Sequence, residues 1–402
     1  MISNGPLAGL RVADFTIHAA GPFCTHVLSQ LGAECIKIES RARPDAFRKP
    51  HAVYGRLTAA TFDQVSANKR SIRLNLKQTE AVAIAKRIVA LSDVAAESFR
   101  AGVMQRLGLD FAALSAVKPD LIMLSLSSCG QQGPDSHFAG YAPLFGAWGG
   151  LGYQSGYSDG PPIEMRHVMD HSTGYHAAVA IMAALLRRRA TGSGQYIDLA
   201  AREVSSAMIG AALVQAAAGD TPQRPGNGSA QYAPHGVYRT QGDDQWLSLV
   251  IQNDAQWREL LDLLSLPADH RLREVDFSEV AGRLQQAAEL DQALELLLQS
   301  RPADDWATRL QARGIPAYPS VNMQAIAENQ HLQQRGSLTR VNELSGGERW
   351  AVGAPVRFSQ TPAPGVYCTT PDLGEAEDYV YGELLGMSSE TRQDLEAREV
   401  IY

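Results

Sequence analysis

Leu10-Arg11-Val12-Ala13-Asp14-Phe15, a turn from Thr16 to Pro22, a stretch from Phe23 to Leu31, Gly32, and Glu34-Cys35-Ile36-Lys37-Ile38-Glu39 decide the fold. The first and last pieces are short, apolar-rich runs suited to strands. The middle reads as a helix opened by Gly21 and Pro22 and ended by Gly32. Strand, helix and strand at this spacing form a β-α-β unit, which favours a parallel sheet. The turn Ala19-Ala20-Gly21-Pro22 lets a ligand approach its backbone, but it is not Gly-x-Gly-x-x-Gly. It therefore gives no support to a dinucleotide site. The alternation continues outward. Strands are expected over 71–76, 93–97 and 121–126, with helices over 78–91 and 103–107. Arg41, Arg43, Arg48 and Lys49 follow the second strand, and Lys69 and Arg70 come soon after. Such a cluster past the carboxyl end of a strand suits a phosphate-bearing ligand, or else a solvated face.

From Ser127 to Pro162 glycines and aromatic residues are interleaved, as in ordered loops near a site. Next come Met165-Arg166-His167-Val168-Met169-Asp170-His171-Ser172-Thr173-Gly174, Tyr175-His176, and an apolar run from Ala177 to Leu186. The run predicts a helix buried all round, with Ser172 or Thr173 as its N-cap and Gly192 as its stop. Asp170 then lies just before the N-terminus, where free N–H groups favour the carboxylate anion. Such a group is either a cap or a nucleophile. A strand over 195–199 and an apolar helix over 205–218 follow. Residues 219–234, rich in Gly, Pro, Asn and Gln, mark a boundary. Beyond it, strands at 236–240 and 246–250 and helices over 254–264, 278–298 and 303–312 form a smaller α/β domain. Helix over 325–335, strands over 350–358 and helices over 379–385 and 390–398 complete the chain. The organisation expected is a large domain in 1–220, a small α/β domain in 225–320, and a 325–402 segment returning to the large domain.

Of 402 residues, 45% are hydrophobic and 20% charged, enough for a large core. The formal net charge of −7 argues against nucleic-acid binding. Cys24, Cys35, Cys129 and Cys368 are far apart, so neither a zinc site nor a disulfide framework is expected and a reducing cytoplasm fits. Met1 to Pro6 carries no basic region or long apolar core, so no signal peptide is expected. No apolar run approaches the roughly 20 residues of a membrane span.

Further motifs extend the picture: Pro6-Leu7-Ala8-Gly9-Leu10, Leu31-Gly32-Ala33-Glu34, Asn68-Lys69-Arg70-Ser71-Ile72, Glu97-Ser98-Phe99-Arg100-Ala101-Gly102-Val103, Arg106-Leu107-Gly108, Gly130-Gln131-Gln132-Gly133-Pro134, Thr191-Gly192-Ser193-Gly194-Gln195, Ala233-Pro234-His235-Gly236 and Asn253-Asp254-Ala255-Gln256-Trp257. In this order and spacing the chain resembles the family III CoA-transferases, which include formyl-CoA:oxalate and carnitine CoA-transferases and α-methylacyl-CoA racemases. The resemblance implies an α/β fold in which both chain ends build a large Rossmann-like domain. A smaller α/β domain is inserted, and two ring-like chains interlock as a homodimer. It also implies a CoA-transferase that holds no permanent cofactor and no metal and uses acyl-CoA and a carboxylic acid as substrates.

Asp170 occupies the family's catalytic aspartate position. The family's CoA contacts fall on Ala19, Ala20, Ser40, Leu74, Asn75, Lys77, Ser98, Phe99, Arg106 and Ala139. Ser40 stands where formyl-CoA transferase has an arginine, a role Arg41 takes over. Ala19 replaces a glutamine and Ala139 a lysine, which argues against oxalate as acceptor. Gly226 and Gly228 are expected as oxyanion donors, Tyr141 and His171 near the substrate, and Arg166 opposite the second carboxylate of a dicarboxylic acceptor. The racemase branch has a histidine where this chain has Tyr141, and a neutral tyrosine is a poor base near pH 7. Racemisation is the alternative within the family. A non-catalytic CoA-binding subunit of a heterodimer is the alternative outside catalysis.

Overall fold

The computed structural model describes residues 5–48, 60–342, 347–362 and 365–402. Lys49 lies outside them. The chain divides into two compact units. The first takes the chain up to Gly152, Glu164–Val214 and Asn329–Tyr402; the second takes Tyr153–Ile163 and Gln215–Glu328.

The first unit is built on a six-stranded sheet. Its strands are β1 (Arg11–Phe15), β2 (Glu34–Glu39), β3 (Arg70–Arg73), β4 (Val94–Glu97), β5 (Ile122–Ser127) and β6 (Gln195–Ala200). All pair in parallel, in the order β3-β2-β1-β4-β5-β6. A parallel sheet is covered on both faces, so its strands read as apolar runs rather than alternating ones; every residue of β5 is buried. Helices α1 (Ala20–Gln30), α2 (Ala60–Ser66), α3 (Thr79–Ala90), α4 (Val103–Arg106), α5 (Phe111–Ser115), α6 (Ala142–Gly149) and α7 (Arg166–Thr191) follow the chain. One core lies against α1 and α7, through Phe23, Leu28, Ala177 and Ile181. The other lies against α3 and the last two helical segments, through Ile84, Ile88, Tyr381 and Leu395. The latter segments span Asp378–Leu384, a wide π-type turn, and Ser389–Ala397. They are tied to β3, where the Arg73 guanidinium meets Glu377 at 2.6 Å and the Ala376 N–H donates to the Ser71 carbonyl at 3.0 Å.

Two sequence expectations change here. The α7 helix begins at Arg166, not after Ser172, because Pro161 and Pro162 bar helix only before that point. Its buried stripe of Met169, Thr173, Ala177, Ile181 and Ala184 already runs at helical spacing. Nor is it buried all round: Val168, Tyr175, Val179 and Leu186 are exposed. The expected single helix over 205–218 is two, Ala201–Met208 and Gly210–Ala217, and the second buries no residue.

In the second unit β7 (His235–Arg239), β8 (Trp246–Val250) and β9 (Ala317–Pro319) form an antiparallel sheet. Helices Asp254–Leu263, Ala287–Leu298 and Ala303–Gln311 pack Trp257, Leu260, Leu294 and Leu310 into one core. The helix expected over 278–298 is interrupted at Gln286. The fully buried Arg283 guanidinium lies beside this break. It donates to the Ala233 carbonyl at 2.8 Å, the Phe277 carbonyl at 3.0 Å and the Asp254 carboxylate at 2.8 Å.

Candidate active site

The chain runs outward from β1 to β3 and then crosses back to β4. The strand order therefore reverses between β1 and β4, and in such sheets the carboxyl ends of the strands at that point are the usual ligand position. The residues there are forced into close approach. A Cβ at Gly21 would lie 2.7 Å from Thr16 Cβ and 2.8 Å from Ser98 Cβ, so only glycine fits. Ser98 Oγ accepts from the Ile17 N–H at 2.9 Å and donates to the Ile17 carbonyl at 3.0 Å, joining the β1 and β4 loops. Buried charges support this turn from below. Lys37 Nζ donates to the Thr16 carbonyl at 2.9 Å, and Lys69 Nζ to the Pro22 carbonyl at 2.9 Å. Lys37 pairs with Asp45 at 3.1 Å and Lys69 with Asp14 at 3.0 Å, all four fully buried. Burial alone would raise the Asp14 carboxyl, but Lys69, Lys37 and the Thr16 and Thr25 hydroxyls hold it below the usual range.

Lys69 is thus no surface cation, and the expected phosphate cluster shrinks. Arg48 is buried and bidentate on Glu39, and Arg70 pairs with Glu34. Arg41 and Arg43 remain exposed. Arg41 follows β2; Leu74, Asn75 and Lys77 follow β3; Ser98, Phe99 and Arg106 follow β4; Ala19 and Ala20 follow β1. All therefore lie in segments that leave the carboxyl ends of β1 to β4, Arg106 farthest, at the end of α4. Leu74 is core, with its N–H on the Glu39 carbonyl at 2.6 Å, so it can offer a ligand backbone only. Ala19 and Ala20 are buried likewise.

Helix α7 packs against α1 at its closest one turn after Asp170. A Cβ at Gly174 would lie 2.8 Å from Phe23 and 2.9 Å from the Ala20 carbonyl. Asp170 and Gly174 are four residues apart and share a helix face, so Asp170 stands on the face that meets the start of α1. It is the fifth helical residue, past the first turn where free N–H groups act. The expected bias toward the anion is reversed: burial pushes its carboxyl up to about 7. Among the described residues none donates a hydrogen bond to it. His171, next in sequence, has its ring 4.2 Å from that of Phe23 and its Nδ1 2.6 Å from the His167 carbonyl. Among the described residues its buried Nε2 has no partner, and desolvation lowers its proton affinity. Tyr141 precedes α6 and is 68% exposed. Arg166 is the first residue of α7, and its side chain lies outside the described parts.

Gly226 and Gly228 belong to the second unit, and their N–H groups are already committed. Gly226 donates to the Gly156 carbonyl at 2.8 Å and Gly228 to the Pro225 carbonyl at 3.0 Å. A Cβ at Gly226 would strike the Tyr157 ring. As oxyanion donors they require these bonds to open.

Sequence reading missed Glu97. The register places Glu97, Ser125 and Asp198 side by side on β4, β5 and β6. Glu97 accepts from the Phe99 N–H at 2.6 Å, and Asp198 from the Gln131 N–H at 2.9 Å, fixing two rim loops. Burial pushes the Glu97 carboxyl up to about 7. A carboxylate closing an otherwise apolar strand was the available signal.

A carboxyl group that burial holds near neutrality, on the helix face that meets the start of α1, is a candidate for covalent or acid–base chemistry. The model of CoA-transferase family III matches residues 7–377, and the chain belongs to that family. It is 32% identical to the succinyl-CoA–L-malate CoA-transferase beta subunit of Chloroflexus aurantiacus, over 98% of each chain. It is 33% identical to the acetyl-CoA:oxalate CoA-transferase of Acetobacter aceti, over 92% of this chain and 94% of that one. A CAIB/BAIF family protein from Brucella suis superposes with a TM-score of 0.86 at 29% identity, covering 95% of this chain and all of the other. The protein is an enzyme of the family III type, and its substrates include CoA thioesters.

Proposed function

We propose that this enzyme moves CoA from an acyl-CoA donor to a carboxylic acid acceptor through covalent intermediates on Asp170. The observation that carries this reading is the half-buried Asp170 carboxyl, which accepts no hydrogen bond among the described residues, on the α7 face that meets the start of α1. As the anion it attacks the thioester carbonyl, and CoA thiolate leaves to give a mixed anhydride. The thiolate then attacks the aspartyl carbonyl and releases the donor acid, leaving an aspartyl–CoA thioester. The acceptor carboxylate attacks that thioester and expels thiolate; thiolate returns to the acceptor carbonyl and frees Asp170. Each bond broken is replaced by one of similar energy, so one difficult exchange becomes four tractable steps. No proton is consumed. Desolvation strengthens the carboxylate as a nucleophile once it is ionised.

In this reading the rim residues Ala19, Ala20, Arg41, Asn75, Lys77, Ser98, Phe99 and Arg106 hold CoA, while Tyr141, Arg166 and His171 face the acceptor. The large unit is Rossmann-like, the small one inserted, and the molecule an interlocked homodimer of the cytoplasm. Among the described residues no helix is long and apolar enough to cross a membrane. The exposed apolar residues of α7 and of Gly210–Ala217 favour a second chain over a lone monomer. A heteromeric assembly is the second reading, because the Chloroflexus relative is named as a subunit.

The test is to incubate the protein with a panel of acyl-CoAs, trap with hydroxylamine or borohydride, and take intact and peptide masses. Modification on Asp170, absent in Asp170→Ala, is expected. Loss of the substrate α-proton in deuterated water with no adduct would instead move the protein to racemisation.

A further inference from the structure

The rim of the sheet beyond β2 and β3 is built by the chain's own tail. Helix Ser389–Ala397 ends, Glu399 adopts the left-handed conformation (φ 57°), and the chain turns back. Val400 and Ile401 are buried in the core, and both N–H groups donate to the Leu395 carbonyl, at 2.8 and 3.2 Å. The tail is then stitched to the loops after both strands. Asn75 donates its N–H to the Val400 carbonyl at 2.9 Å and its side-chain amide to the Glu399 carbonyl at 3.2 Å. Arg41 donates its N–H to the Tyr402 carbonyl at 2.7 Å. Arg398 is bidentate on Glu80 at 2.8 and 2.9 Å.

These bonds use the Arg41 backbone N–H and the Asn75 N–H and side-chain amide, leaving the Arg41 guanidinium for a ligand. They also bring Tyr402 to the same rim. Its ring is half-exposed, with the Arg41 guanidinium over it at 5.8 Å from the centroid. Arg41, Arg43 and Lys77 are exposed nearby in sequence and form no ion pair among the described residues. Elsewhere in this unit the arginines Arg11, Arg48, Arg70, Arg73 and Arg188 are all paired with acids. A flat ring with a guanidinium over it, beside unpaired cations, matches a purine carrying phosphates.

We infer that the tail residues Glu399 to Tyr402 form the nucleotide wall of the CoA site, with the Tyr402 ring as the surface on which the adenine stacks. The inference rests on the CoA-transferase reading. It also divides the ligand: the pantetheine arm is left to the β1 and β4 loops.

Calorimetric titration with CoA and with pantetheine, which lacks the nucleotide, tests it in wild type, Tyr402→Ala and Tyr402→Phe. Tyr402→Ala is expected to weaken CoA by about five- to a hundredfold, the range of one base–aromatic stack, with pantetheine unaffected and Tyr402→Phe close to wild type. Thermal melts check that the fold is kept, since Tyr402 lies outside the core. Equal weakening of both ligands would make the tail a mere structural strap and overturn the inference, as would an unchanged CoA affinity. A wild-type protein that bound no CoA would overturn the transferase reading as well, which separates the two failures.

Discussion

Asp170 carries opposing demands on one side chain. Burial holds its carboxyl near 7, and nothing described around it offsets the cost of its charge. An unfolded aspartate loses its proton near 3.9. Between about pH 4 and 7 the folded protein therefore holds the proton longer than the unfolded chain, and its stability falls as pH rises through that window. Above it the full cost of the buried anion remains. In the proposed mechanism chemistry runs the other way, because only the anion attacks a thioester. We expect kcat/KM to rise with pH to a plateau above about 7. Asp170→Asn should be inactive, yet melt higher than wild type at pH 8 and equal to it at pH 4. A melting difference that is the same at both pH values would sink this account. Glu97 titrates in the same range, so the profile of Glu97→Gln separates the two. If the activity limb near 7 vanished in Glu97→Gln, it would belong to Glu97 and not to the nucleophile.

The β1–α1 turn shows what an element needs beneath it. Lys37 and Lys69 hold the Thr16 and Pro22 carbonyls, and Asp45 and Asp14 neutralise the lysines. Breaking one partner of a buried pair leaves an uncompensated charge, whereas removing both is far cheaper. Lys69→Met should cost about 3–5 kcal/mol in denaturant unfolding, and the Asp14→Asn, Lys69→Met double variant clearly less. A double variant as unstable as the sum of the singles would show the pair to be uncoupled. Sequence reading found this turn and both of its strands, because apolar runs punctuated by Gly21, Pro22 and Gly32 are local signals. It took Lys69 for a surface cation, because what buries it is Asp14, 55 positions away in sequence. The start of α7 was misplaced for a different reason. Ser172 and Thr173 are good caps in isolation, but the buried stripe from Met169 to Ala184 overrides local preference. Asp170 is singled out by its position within a recognised pattern, while its proton affinity, which depends on what covers it, was read with the wrong sign.

At the scale of the molecule, the apolar surface left on one chain is the argument for a second. Val179 is 61% exposed and Leu186 70% on α7, and Leu213 and Val214 on the Gly210–Ala217 helix are 54% and 71% exposed. On each helix they recur: Tyr175, Val179 and Leu186 on α7, and Leu213 and Val214 on Gly210–Ala217. Soluble monomers rarely leave such faces to water, and obligate homodimers bury them as a divided core. The protein expressed alone should therefore have twice the mass of one chain by light scattering at micromolar concentration, with no concentration-dependent dissociation. Val179→Asp with Val214→Asp places charges on both faces. It should give monomers or aggregates, because an unpaired charge in an apolar interface is costly. Under the proposed interlocked assembly, activity should fall with the mass. A soluble wild-type monomer that gains mass only when a second, different subunit is supplied would instead favour the heteromeric assembly. A fully active monomer would exclude both.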